Sequence, residues 1–155
     1  MRVIGAPGSR LVLRFLDSLR AAEAAGAAVV DAWVAVCPLP SLRGGLRTIA
    51  EREAGHAALL EERLRELGGT CDAVVPDAMR GAAVGRFGSP AVADEEKLAL
   101  VLARYPEETT VRRPIVHVLD QLDPDLETRE LLRLVAEGEG ATVAWLRAYH
   151  ASLGG

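Results

Sequence analysis

The chain is poor in several features that mark particular classes of protein. Aromatic residues make up only 4% of its 155 residues, so its core must be built mainly from aliphatic side chains. No apolar run reaches the roughly 18 residues of a transmembrane helix, so no membrane span is expected. The N-terminal segment lacks the apolar region and cleavage site of a signal peptide, which predicts a cytoplasmic location.

Basic clusters and cysteine motifs are also missing. The formal net charge is -4, and without a basic patch neither nucleic acid nor an anionic membrane is an expected partner. The two cysteines, Cys37 and Cys71, form no C-x-x-C motif. They are predicted at opposite ends of an antiparallel helix pair, roughly 30 Å apart, which is too far for a disulfide. Two reduced thiols are therefore expected.

Apolar residues recur at spacings of three and four through most of the chain, a pattern typical of amphipathic helices. The sequence predicts an irregular tail over 1–9 and a single all-α domain over 10–155, an antiparallel four-helix bundle. The predicted helices run from Arg10 to Cys37, from a Ser41 cap to Leu67, from Ser89 or Asp94 to Leu122, and from an Asp123-Pro124 cap to Leu153. A long connection over 70–90, with a short helical piece inside it, allows a crossover between helices 2 and 3.

Acidic residues interrupt the apolar stripes of all four predicted helices. The second helix carries Glu53 and His56 on its stripe, and Glu23, Glu108 and Glu139 lie on the other three. Counted from the loops, all five lie roughly 20 Å from the same end of the bundle. Buried carboxylates at one level require cations, and oxygen ligands with an imidazole suit iron or manganese, with zinc as an alternative.

Two segments resemble a known family. The stretch EREAGHAALLEERLRELGG at 51–69 resembles the second helix of the ferritin-like superfamily, rubrerythrin-type branch, with its metal-binding E-x-x-H at Glu53 and His56. VAEGEGATVAWL at 135–146 resembles the fourth helix. The resemblance implies a ferritin-like bundle with a di-iron-type site, an oxidase or peroxide-reactive oxidoreductase, and a homodimer. It places one metal at Glu23, Glu53, His56 and Glu139, and the second at Glu108, Glu53 and Glu139.

The chain departs from the family pattern around Glu139. Thr142 stands where the second E-x-x-H would place its histidine, and the simplest role for it is a small core residue bonded within its own helix. Gly138 and Gly140 flank the acid, where they would permit close backbone approach or a bulge, or only destabilise the helix. These departures weaken the expected second metal position.

The third predicted helix departs from the pattern as well. Pro106 and Pro114 lie on either side of Glu108 and should kink or break the helix. Arg112, one turn further on, could pair with Glu108 or neutralise Glu139. Three interpretations stay open: an iron-binding protein with a complete or partial site, a non-catalytic structural or interaction module with an unknown protein partner and a degenerate site that binds no metal, and a mononuclear or zinc site with a structural role.

Overall fold

The structure is a computed structural model that describes residues 7–154. Every regular element within that range is a helix, so the all-α prediction is confirmed. The elements are α1 (Pro7–Val36), α2 (Pro40–Glu66), α3 (Asp77–Phe87), α4 (Asp94–Arg104), α5 (Glu108–Gln121) and α6 (Leu126–Leu153). None of these helices is long and apolar enough to cross a membrane.

The first two helices begin at prolines. The irregular tail was predicted to reach residue 9, but α1 starts at Pro7, and residues 1–6 lie outside the described range. Pro40 is the first residue of α2, where a fixed φ and a missing N–H are tolerated. The predicted Ser41 cap is therefore wrong: Leu39 is the N-cap residue, and the Ser41 hydroxyl lies 2.8 Å from the Tyr149 hydroxyl.

The predicted third helix is two helices, α4 and α5. The break falls at 105–107, because Pro106 donates no backbone hydrogen bond and disfavours helical geometry at Tyr105, whose φ and ψ are -128° and 72°. Pro114 behaves differently and lies inside α5. Its side chain is exposed, so the packed face of α5, with Ile115 and Val118, stays intact.

The start of α6 is shifted from the predicted Asp123-Pro124 cap, which is wrong. Asp123 has a φ of 41°, a turn conformation that aspartate tolerates better than most residues. The N-cap is Asp125, whose side chain accepts a hydrogen bond from the Thr128 backbone N–H at 3.2 Å. Arg63 of α2 also donates to Asp125 at 2.6 Å, which ties this cap to the neighbouring helix.

The long connection after α2 contains the helix α3, which is the short helical piece that the sequence predicts. Gly68 ends α2 with a φ of 84°, a conformation that favours glycine. Asp17 of α1 then accepts hydrogen bonds from the backbone N–H groups of Asp72 and Ala73, at 3.0 and 2.7 Å. These bonds hold the connection against α1 before α3 begins.

Two apolar clusters form the core, one on either side of a polar layer. Cluster 1 joins the first half of α1 to the second half of α2, α5 and the first half of α6: Val12, Leu16, Leu60, Leu64, Ile115, Val118, Leu132, Val135 and Ala136. Cluster 2 joins the opposite halves to α4: Trp33, Cys37, Leu42, Leu46, Ile49, Leu98 and Leu146. This pairing shows that α1 and α2 run in opposite directions.

The cysteines fall at the two ends of this core. Cys37 belongs to cluster 2, Cys71 packs against cluster 1, and both are free thiols, as predicted.

Candidate metal centre

A polar layer separates the two apolar clusters. It consists of Glu23 on α1, Glu53 and His56 on α2, and Glu139 on α6, and is called the carboxylate layer below. The spacing of residues along α2 explains why the layer lies between the two clusters. His56 lies one turn before Leu60 of cluster 1, and Glu53 lies one turn after Ile49 of cluster 2. The helix pattern that buries the leucines therefore buries the acids and the imidazole as well.

His56 lies between two carboxylates from different helices. Its Nδ1 atom is 3.8 Å from Glu23 Oε1 and 3.7 Å from Glu139 Oε1. Both distances are too long for a hydrogen bond, and the buried Nδ1 has no partner among the described residues. One donor atom from each of the three side chains lies within 4.8 Å of the other two. The three residues thus form a compact O,N,O donor set.

Glu53 completes the layer from the same face of α2, one turn before His56. Its Oε2 atom is buried and has no hydrogen-bond partner in the described part of the chain. It faces Gly26 of α1, where an added Cβ would lie 2.7 Å from Oε2. The layer therefore contains two buried polar atoms without partners, Glu53 Oε2 and His56 Nδ1. This is unusual, because a buried polar atom normally has a hydrogen-bond partner.

Glycines on α6 make room for the polar side chains that face it. A Cβ at Gly138 would lie 2.7 Å from Cε1 of His56, and one at Gly140 would overlap the guanidinium group of Arg112. Helix α6 runs without interruption through both positions. Of the roles considered for these glycines, close approach is therefore the one that the structure supports.

Burial and mutual repulsion govern the charges of the layer. Burial, with the nearby Glu139 carboxylate, raises the pKa of Glu23 to about 7, although His56 opposes the shift. Burial raises the pKa of Glu53 to about 8, and Glu139 and Glu23 add to that effect. The carboxylates of Glu139 and Glu23 raise the pKa of His56 to about 9. Burial acts to raise the pKa of Glu139, but His56 and Glu23 outweigh it and lower that pKa. Without a metal ion, the layer keeps protons to offset its negative charge.

Glu108 is the one predicted ligand that the structure does not bring to the layer. It is exposed in the first turn of α5 and is absent from the donor set found among the described residues. The reason is the break at Pro106, which restarts the helix and changes the face that position 108 presents. No ion pair joins Glu108 to Arg112 in the described range. His117 is exposed on α5.

Arg52 was not recognised from the sequence. Its Nη2 donates a short hydrogen bond to Oγ1 of Thr142, the residue at the position of the missing histidine. Thr142 is buried and Arg52 is half-buried, so this contact lies at the edge of the core. The sequence feature that could have revealed Arg52 is its four-residue spacing from His56. This spacing places the arginine one turn away, on a neighbouring face of α2.

The carboxylate layer also affects the pKa of Tyr105. Burial raises the pKa of its phenol, the charge of Arg104 opposes this, and the carboxylates of Glu139, Glu53 and Glu23 add to it. The phenol therefore lies within electrostatic range of the layer, at the α4–α5 break.

No protein-family model matches the chain, and no curated protein or solved structure compared with it is similar. The ferritin-like, rubrerythrin-type resemblance therefore continues to depend on the residues quoted above.

Proposed function

We propose that the protein binds a transition-metal ion between α1, α2 and α6, at Glu23, His56 and Glu139. One observation carries the proposal: three donor atoms from three separate helices lie within 4.8 Å of one another. The imidazole nitrogen at their centre is buried and has no hydrogen-bond partner in the described residues. A cation bound there would satisfy this nitrogen and both carboxylates together.

The donor set fits such an ion. Metal–ligand bonds of about 2 Å place neighbouring donors roughly 3 to 3.5 Å apart, so the observed 3.7 and 3.8 Å need only small side-chain shifts. Two carboxylates and one imidazole suit iron or manganese, and zinc is an alternative. Glu53 is the remaining acid of the carboxylate layer, and its buried, unpartnered Oε2 makes it a fourth ligand in this proposal.

The proposal includes an arrangement of the helices. We infer that α1, α2, the α4–α5 pair and α6 make up the antiparallel, ferritin-like four-helix bundle that the sequence predicts. Iron is the ion that the rubrerythrin-type resemblance favours. Bound iron would supply redox chemistry toward oxygen or peroxide, while the chain's own carboxylates and imidazole hold the ion. A homodimer is part of the same resemblance.

Metal content tests the proposal directly. Purified protein would be loaded anaerobically with iron, desalted, and measured by elemental analysis beside His56→Ala and the matched control His117→Ala. We expect about one ion per chain in the wild type and in the control, and a loss in the His56 variant. Wild-type protein without metal after loading with iron, manganese and zinc would disprove the proposal. Two ions per chain would indicate a dinuclear centre instead.

A second candidate function is favoured by the contact between Arg52 and Thr142. An arginine in this place is compatible with a helical interaction module whose ancestral site no longer binds metal. Such a protein would retain its fold and stability when Glu53 and His56 are both replaced by apolar residues. Melting curves of the protein with and without iron loading separate the two, because only the metal-binding protein gains thermal stability on loading.

A further inference from the structure

We propose that Arg52 is a built-in cation of the carboxylate layer and limits the centre to a single divalent metal ion. The inference deepens the proposed function and depends on it for the metal itself. It assigns a specific role to a residue outside the donor set: the guanidinium group takes the place and the charge that a second ion would need.

The side chain of Arg52 lies along α6 beside Glu139. Its Nη2 donates to Thr142 Oγ1, and its Cδ atom is 3.5 Å from the position that a Cβ on Gly138 would take. Arg52 therefore spans the turn of α6 that carries Glu139, the only acid on that turn. The bond to Thr142 holds the guanidinium in place, because arginine donates in a fixed, planar geometry.

Arg52 also acts electrostatically on two acids of the layer. Its positive charge favours the ionised forms of both Glu53 and Glu139. With all three carboxylates ionised, the layer carries three negative charges. One divalent ion and Arg52 neutralise them when the imidazole is neutral, as it must be to bind metal. A second divalent ion would leave an excess of positive charge in a buried place, which is costly.

A second guanidinium group lies on the other flank of Glu139. Arg112 of α5 packs against Gly140, and its buried Nε has no hydrogen-bond partner among the described residues. An arginine side chain therefore packs against α6 on each side of Glu139. Arg52 is the arginine whose charge acts on Glu53 and Glu139 and whose guanidinium is held by Thr142, so the charge balance and the test concern Arg52.

Titration calorimetry with Mn²⁺ and Zn²⁺ tests the role of Arg52 in metal binding. We would compare wild type, Arg52→Gln, Arg52→Lys and the exposed control Arg47→Gln. Removal of the charge should tighten binding of the first ion about tenfold or admit a second ion, whereas the Lys variant and the control should resemble the wild type. Wild-type affinity and stoichiometry in Arg52→Gln would overturn the inference.

A double-variant cycle on the metal-free protein keeps this test independent of the proposed function. Unfolding midpoints of Arg52→Gln, Glu139→Gln and the double variant, all in EDTA, report whether the two charges interact. We expect the double variant to lose less stability than the sum of the single losses. Additive losses would overturn the role of Arg52. If coupling is present but the wild type binds no metal, the proposed function fails and Arg52 remains the counter-cation of the layer.

Discussion

Two neighbouring turns of α2 show opposite ways of filling a protein core. Leu60 is fully buried among the apolar side chains of cluster 1. His56, one turn earlier, faces two carboxylates and has a buried nitrogen without a hydrogen-bond partner in the described residues. Cluster 1 derives its stability from volume and shape at any pH, whereas the carboxylate layer depends on protons, Arg52 and, in our proposal, a metal ion. The same helix thus carries one region for stability and, in our proposal, one for metal binding.

The largest effect should come from the apolar side of this comparison. Leu60→Ala removes a fully buried side chain from cluster 1, so the free energy of unfolding should fall by about 3 kcal/mol. The loss should be equal with and without metal in urea unfolding. Leu59→Ala, at a neighbouring position that is 50% exposed, is the matched control and should cost much less. A small effect at Leu60 would show that cluster 1 is not the main source of stability.

Within the carboxylate layer, a substitution should raise the free energy of unfolding instead of lowering it. Glu53→Met replaces a buried carboxyl that lacks a partner for Oε2 with an apolar side chain of similar size. The metal-free protein should become more stable by about 1 to 2 kcal/mol at neutral pH, since buried ionisable groups often destabilise a fold. Urea unfolding in EDTA measures this, with the exposed Glu51→Met as control. A clear loss of stability would mean that the layer supports the fold even without metal.

The two regions should also differ in their response to pH. The folded-state pKa values of Glu23, Glu53 and His56, about 7, 8 and 9, all lie above their ordinary values. The fold is therefore more stable when each of these groups is protonated, and this advantage is lost as pH rises through the folded-state value. The metal-free protein should melt at a lower temperature at pH 9 than at pH 6.

Metal loading should reduce or reverse this slope, because the ion competes with the same protons. Glu53→Gln removes one of the three titrations and should flatten the slope in the metal-free protein. The Leu60→Ala variant should retain the wild-type slope at a lower melting temperature. A metal-free melting temperature that is constant from pH 6 to 9 would contradict the charge distribution described for the layer.

The smallest effect concerns the space that glycine leaves for the layer. Gly138→Ala places a Cβ 2.7 Å from Cε1 of His56, which must then move away from Glu23 and Glu139. We expect metal affinity to fall about tenfold, or about 1.4 kcal/mol, with little change in metal-free stability. Gly55→Ala is the control, because nothing lies within 4 Å of its added Cβ. It should raise stability by up to about 1 kcal/mol and leave metal binding unchanged.

The depth of the layer could be predicted from the sequence because a helix rises by a constant amount per residue. The short connection over 37–39 fixes how α1 and α2 align, so counting from it brought Glu23 to the level of Glu53 and His56. The same counting failed for Glu108, since it assumed one continuous third helix. Pro106 was recognised as a breaker, but the face that α5 presents after the break depends on how it packs against α6.

The caps show the same division between local and tertiary information. Several residues near each helix start could serve as caps, and local preference favoured Ser41 and Asp123. The structure uses Leu39 before Pro40 and Asp125 instead. Asp125 receives a hydrogen bond from Arg63 of α2, a contact 62 residues away in sequence. That contact has no local pattern that could have revealed it.

The sequence by itself determined that the chain is helical and that its apolar stripes carry acids and an imidazole. It placed five of these residues at one depth, and four of them lie there, because periodicity and rise are local properties. Only the tertiary structure decided that Glu108 faces solvent, that Gly138 leaves space for His56, and that Arg52 of α2 reaches Thr142 of α6. Those relations join side chains from helices far apart in sequence, and their geometry follows from how the helices pack.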